Sequence, residues 1–209
     1  MLLAFMTGPT HVGKSTAIRR ICEIGDGQDG RHQVGTVEVG RMMRAKYLDP
    51  ASPHYTPDKF KGQAAPKETQ AEAWQMLLTG IERCRGNGDT IVLIDGQPRD
   101  YQQVYGTLQL LDARAYVSLF APIAVRERRF EASERANNPE DRSLSERRMR
   151  GDLTMLYEVL SILHLAGEAV RYFDTSADGY TPDLVYAWLA QRAESAGIFP
   201  YVPPEGPQG

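Results

Sequence analysis

The segment Gly8-Pro9-Thr10-His11-Val12-Gly13-Lys14-Ser15 matches the spacing G-x-x-x-x-G-K-[ST]. Glycines let such a turn adopt unusual φ values and approach a ligand closely. Its successive backbone N–H groups point inward and cradle phosphate oxygens. The helix that follows turns its positive N-terminus toward the same anion. Lys14 then reaches the β- and γ-phosphates of ATP, and the Ser15 hydroxyl ligates Mg²⁺. The expected ATP site therefore comprises Gly8, Pro9, Thr10, His11, Val12, Gly13, Lys14, Ser15 and Thr16. His11 is read as a spacer rather than a catalyst, because the loop works through its backbone.

Asp95 follows the apolar run Ile91-Val92-Leu93-Ile94. A carboxylate at the C-terminal end of a parallel strand lies where open α/β sheets bind ligands, and there it holds Mg²⁺ or one of its waters. Arg99, four residues further on, and Arg44, in the helix after the second strand, have the bidentate geometry that grips an acceptor phosphate. Arg126, Arg128, Arg129, Arg135, Arg142, Arg147, Arg148 and Arg150 crowd a stretch of 25 residues. Arginines on a closing lid stabilise charge that develops in phosphoryl transfer. Interleaved Glu127, Glu131, Glu134 and Glu146 also fit an ordinary salt-bridged helical face, so only some of these arginines are expected to touch phosphate.

The elements that position these groups alternate short apolar runs with longer amphipathic stretches, the pattern of a parallel α/β domain. Strands are expected at Leu2–Thr7, Gln33–Val39, Ile91–Ile94, Tyr116–Ala121 and Val170–Asp174. Helices are expected at Lys14–Ile24, Gly40–Leu48, Lys67–Arg85, Asp100–Leu111, Ile123–Arg135, Leu144–Ala166 and Pro182–Ala196. Asp49–Pro66 carries four prolines and reads as a long excursion, which in a compact domain is usually functional. Ala136–Ser143, with Asn137-Asn138-Pro139, reads as a loop.

The 209 residues suit one domain over 1–196 with a Pro/Gly-rich tail over 197–209. A net charge of −3 argues against non-specific nucleic-acid binding. No apolar run approaches the roughly 18 residues of a membrane span. Cys22 and Cys84 suggest no disulfide framework, which makes the cytoplasm the expected setting. The four histidines lack metal-ligand spacing, so no zinc site is expected.

With its motifs taken in order, the chain resembles the adenylate kinase-like family of nucleoside monophosphate kinases. Asp95-Gly96-Gln97-Pro98-Arg99 is similar to that family's D-G-F-P-R signature, and Gly40-Arg41-Met42-Met43-Arg44 is similar to T-G-D-M-L-R. The resemblance implies a three-layer P-loop kinase fold: a five-stranded parallel sheet with helices on both faces, an acceptor-binding insert near 40–75 and a short mobile lid near 135–144. It implies Mg²⁺ at Ser15 and Asp95, and an acceptor site of Gly40, Arg44, Gly96, Arg99 and Gln103, with Gln103 reading the base. It further implies that Arg135 and Arg148 close on the phosphates, with Arg129 and Arg142 as further candidates, and that Asp174-Thr175-Ser176 lies beside the adenine.

The chain departs from the family at His11, Gln97 and Arg41, where the family has Gly, Phe and Asp. It departs again across 49–66. The expected reaction is transfer from ATP to a nucleoside or deoxynucleoside monophosphate, with Lys14, Arg44, Arg99, Arg135 and Arg148 as catalytic groups. An anionic acceptor oxygen needs no general base. Transfer to a hydroxyl of a nucleoside, a modified nucleotide in DNA or another small molecule is the alternative, and a protein-responsive ATP switch ranks behind it.

Overall fold

A computed structural model describes residues 1–27, 31–56, 67–137 and 139–199, and for Arg135, Arg147 and Arg150 the description stops at the backbone. The strands are β1 (Leu2–Thr7), β2 (Val34–Val37), β3 (Ile91–Asp95), β4 (Ala113–Phe120) and β5 (Val170–Asp174). They form one parallel sheet in the order β2-β3-β1-β4-β5. The helices are α1 (Lys14–Gly25), α2 (Val39–Tyr47), α3 (Lys67–Gly86), α4 (Tyr101–Leu108), α5 (Ile123–Glu131), α6 (Pro139–Leu165) and α7 (Pro182–Ser195).

Every residue of β1 is buried, as a central parallel strand with both faces covered requires. Alternation along the strand divides the core. Leu2, Ala4 and Met6 join Ile18 and Ile21 of α1 and Val185 and Leu189 of α7. Leu3 and Phe5 face the other way, toward Met43 of α2, Leu77 of α3 and Val159 and Leu163 of α6. Phe5 also stacks on Tyr116 of β4, with ring centroids 5.0 Å apart. Helices thus cover both faces, and the expected α/β class and strand number hold.

The order places β1 between β3 and β4, so the chain leaves β1 to one side and later returns to the other. The mouth of an open sheet lies where the winding reverses, beyond the carboxyl ends of its strands. Met6 is in register with Asp95. The loop after β1 and the acid ending β3 are therefore neighbours by construction.

Several boundaries differ from expectation: β2 is shorter at both ends, β4 begins three residues earlier, α4 ends three residues earlier, and two differences bear on the interval 135–144. The helix α5 ends at Glu131, and a 3-10 turn at Glu134–Asn137 follows. The next helix, α6, begins at Pro139 rather than Leu144. Proline is well suited to a first helical position, where its missing N–H costs nothing. Most of the interval 135–144 is thus the 3-10 turn and the first turns of α6, and Asn138 lies outside the described residues. So do 57–66 of the acceptor-binding region and 200–209 of the tail.

Candidate phosphate-binding site

The backbone of the Gly8–Ser15 loop departs from ordinary conformations at three positions. Gly8 has φ 140°, His11 has φ 62° and Gly13 has φ 99°. A Cβ on Gly8 would lie 2.4 Å from the Leu119 carbonyl oxygen, so β4 leaves room only for glycine. At His11 the left-handed conformation carries a side chain, which costs energy unless neighbours hold it. They do: His11 Nε2 and the Ser145 hydroxyl of α6 are 2.6 Å apart, and the imidazole lies 4.9 Å from the Phe130 ring. His11 therefore links the loop to α6 through its side chain, a role that spacing did not reveal.

Helix α1 opens at Lys14 after Gly13 and has no acidic residue in its first turn. Its positive end is uncompensated, and Ser15 and Thr16 are exposed there. Lys14 Nζ donates to the Gly8 carbonyl at 2.7 Å and the Pro9 carbonyl at 3.1 Å. Burial lowers its pKa to about 8, opposed chiefly by the Asp95 charge.

Asp95 Oδ1 is buried without a hydrogen-bond partner. Burial raises the Asp95 pKa, with Lys14 the strongest counterweight, followed by Arg99. Glu38 raises it further and Arg44 lowers it. The loop lysine, both predicted acceptor arginines and a second carboxylate thus all act on one acid. Glu38 was not foreseen. It caps α2 directly after β2, and only the strand order brings it near Asp95.

The β3–α4 turn is tightly built. Gly96 has φ 73°, and a Cβ there would meet Arg99 Nη2 at 2.7 Å. Arg99 Nε donates to the Gly96 carbonyl at 2.7 Å. Arg44 folds back over Gly40 in the same manner, with Nη1 3.5 Å from where a Cβ would stand. Gln103 plays a local part. Its Oε1 accepts from the Arg99 N–H at 2.8 Å, while its own N–H donates to Asp100 at 2.8 Å. It belongs to a helix cap, and its side-chain NH₂ is the portion left to meet a base.

The arginine-rich stretch divides. Arg148 lines a cavity of about 190 Å³ together with Thr10, Lys14, Arg99 and Asp152. Arg129 instead donates to the carbonyls of Val12 and Thr175 and to the Thr175 hydroxyl, at 2.8–2.9 Å, which ties the β5–α7 loop to the candidate phosphate loop. Arg142 pairs with Glu131 through both nitrogens, at 2.7 and 2.9 Å, as a salt-bridged face would. Arg126 is 1% exposed. The Arg135 side chain lies outside the described residues.

Asp152 was also missed. Its Oδ2 accepts the Thr10 backbone N–H at 2.7 Å and the Thr10 hydroxyl at 2.5 Å. These residues lie 142 positions apart, and nothing local in the sequence announces the contact.

No family model matches the chain, and no curated protein matches it by sequence. Solved structures do match. A sugar kinase from Janibacter sp. HTCC2649, in an unliganded structure, superposes with a TM-score of 0.61 at 12% identity, covering 96% of this chain and 98% of that one. The chain has a kinase fold. A protein from Chloroflexus aurantiacus J-10-fl with a provisional kinase assignment superposes with a TM-score of 0.58 at 14% identity, covering 91% and 97%. Identities this low speak for the fold alone. Among the described residues no helix is long and apolar enough to cross a membrane.

Proposed function

We propose that this chain is an ATP-dependent phosphotransferase whose acceptor is a nucleoside or deoxynucleoside monophosphate. The observation that carries the reading is the convergence of the Lys14, Arg99 and Arg44 charges on the Asp95 carboxylate, one oxygen of which is buried without a partner. Two phosphate-bearing ligands on either side of one acid account for cations arriving from three separate elements.

The Gly8–Ser15 loop and the start of α1 would hold the ATP phosphates, and Lys14 would span the outer two. Mg²⁺ fits the donors available: Asp95 has a buried oxygen without a partner, and the Ser15 hydroxyl lies at the exposed start of α1. When bound, the ion would neutralise charge on the phosphate oxygens. Arg44 and Arg99 would orient the acceptor phosphate in line with the γ-phosphorus. An acceptor oxygen forms the new P–O bond as the bond to the β–γ bridging oxygen breaks, and ADP leaves. The attacking oxygen is already an anion, so positioning and charge neutralisation suffice. Arg148, from the cavity wall, would meet the equatorial oxygens.

A hydroxyl acceptor is the second reading. Two carboxylates, Asp95 and Asp152, both act electrostatically on Lys14, and one of them can take a hydroxyl proton. The sugar kinase among the structural neighbours points the same way.

Incubation with MgATP and a panel of ribo- and deoxynucleoside monophosphates, nucleosides and sugars separates the readings. Diphosphate product from a monophosphate is expected. A phosphorylated hydroxyl compound with no diphosphate would replace the first reading by the second.

A further inference from the structure

Thr10 stands in a loop whose N–H groups are expected to face phosphate, yet its N–H already faces an anion. The Asp152 carboxylate oxygen lies 2.7 Å from the Thr10 nitrogen and 2.5 Å from its hydroxyl. A carboxylate oxygen and a phosphate oxygen are alike as charged acceptors. One backbone N–H cannot serve both at full strength. Inner phosphates belong at the α1 end of the loop, where the helix N–H groups are. Thr10 is at the opposite end and shares the cavity with Arg99 and Arg148, which is the place of the outermost phosphate.

A second, independent observation concerns Arg126 of α5. Its side chain is 1% exposed, and its Nε and Nη1 are buried without hydrogen-bond partners. Those two nitrogens have lost water without gaining a hydrogen bond in exchange. Asp152 is the strongest compensating charge, ahead of Glu127, and Lys14 also feels the Arg126 charge. The unsatisfied cation thus lies close to the acid that now occupies Thr10.

We propose that Asp152 is a built-in occupant of the outermost phosphate position, held on Thr10 in the nucleotide-free protein and moved to Arg126 when a triphosphate binds. The inference rests on the donor-site reading above. It makes Asp152 a specificity-determining residue: a diphosphate leaves it in place, whereas a triphosphate must expel it. Repulsion between the carboxylate and the terminal phosphate sets the cost, and pairing with Arg126 returns part of it. The ratio of ATP to ADP affinity is therefore set partly by α5 and α6, which lie outside the loop itself.

The test is calorimetric titration of the full chain with ATP and with ADP, each with Mg²⁺, in wild type, Asp152→Asn, Arg126→Met and the double variant. Asparagine keeps the shape and an acceptor for the Thr10 hydroxyl but removes the charge. It should tighten ATP about tenfold and leave ADP within about twofold. Methionine at 126 fills the buried volume without the charge, a replacement that folded proteins often accept. It should weaken ATP more when Asp152 is present than once residue 152 is asparagine, where only the direct effect of the Arg126 charge on the site is lost. Parallel shifts for ATP and ADP in Asp152→Asn overturn the proposal, as does weaker ATP binding. An Arg126→Met effect of equal size in both backgrounds also overturns it. Wild-type protein that binds neither nucleotide removes the donor-site reading and this inference together, whereas normal wild-type binding with a failed variant removes only the inference.

Discussion

Burial holds the Lys14 ammonium at a pKa of about 8, far below an ordinary lysine, and Asp95 is the strongest influence in the opposite direction. An incoming triphosphate adds negative charge beside the ammonium and raises its pKa. Lys14 is therefore partly neutral in the free protein above about pH 8 and charged in the complex, so binding there takes up protons. Calorimetry at about pH 8.5 in buffers of different ionisation enthalpy should show uptake of up to about three-quarters of a proton per site. The uptake should vanish in Lys14→Met. Unchanged uptake in that variant would mean that another group titrates. At this scale the sequence anticipated that Lys14, Asp95, Arg44 and Arg99 lie near one another, because spacing within each of three strand–turn–helix units dictates where each side chain leaves the sheet. It was a poorer guide to Gln103, whose cap contacts with Arg99 and Asp100 are as local as the motif but serve the turn.

The elements show where local information ends. Strand β1 and its turn are held by a steric rule that a single substitution can test. A Cβ on Gly8 would press within 2.4 Å of the Leu119 carbonyl oxygen, at a φ of 140° that other residues avoid. Gly8→Ala should cost about 2–4 kcal/mol, measurable as a shift in urea midpoint without a change in slope. A midpoint within error of wild type would show that β4 yields easily. Helix α6 was harder to read. Its inner residues Val159 and Leu163 are apolar, but Ser145, Arg148 and Asp152 look like any polar helix surface until the fold lays them against the loop. Their significance lies in contacts across more than a hundred residues, which no periodicity encodes. Glu38 was missed for the same reason, since its neighbour Asp95 belongs to a different strand.

For the whole molecule, the candidate site lies at the carboxyl ends of the strands, and the opposite end holds a buried histidine. His32, next to β2, is 1% exposed. Its Nδ1 pairs with the Thr90 hydroxyl at 3.1 Å, and its Nε2 is buried without a partner. Burial depresses its pKa, Glu194 opposes the shift and Arg31 adds to it. A base whose folded pKa lies below its unfolded value binds fewer protons when folded. Stability from this group is thus present above the unfolded value and is lost as pH falls through the ordinary histidine range. Denaturation midpoints should decline from about pH 7 to about pH 5, and His32→Gln should flatten that decline. An equally steep profile in the variant would assign it to other groups. The α/β class and the five-stranded parallel sheet were legible from the alternation of apolar runs and amphipathic stretches. The strand order was not, because one apolar strand looks much like another until its partners are known.

That order has a consequence for synthesis. The first strand pairs with β3 at Ile91–Asp95 on one side and with β4 at Ala113–Ser118 on the other. A ribosome thus releases β1 well before either of its two neighbours. Until β4 emerges, Leu2 to Thr7 have no complete place to go. The candidate nucleotide pocket hangs on that strand, so on the proposed function a nascent chain halted before residue 113 should be unable to retain ATP, however complete its Gly8–Ser15 segment. Residues made before both of their sheet neighbours are late to be buried, and meanwhile a chaperone that shields extended apolar segments would find its target in Leu2–Thr7.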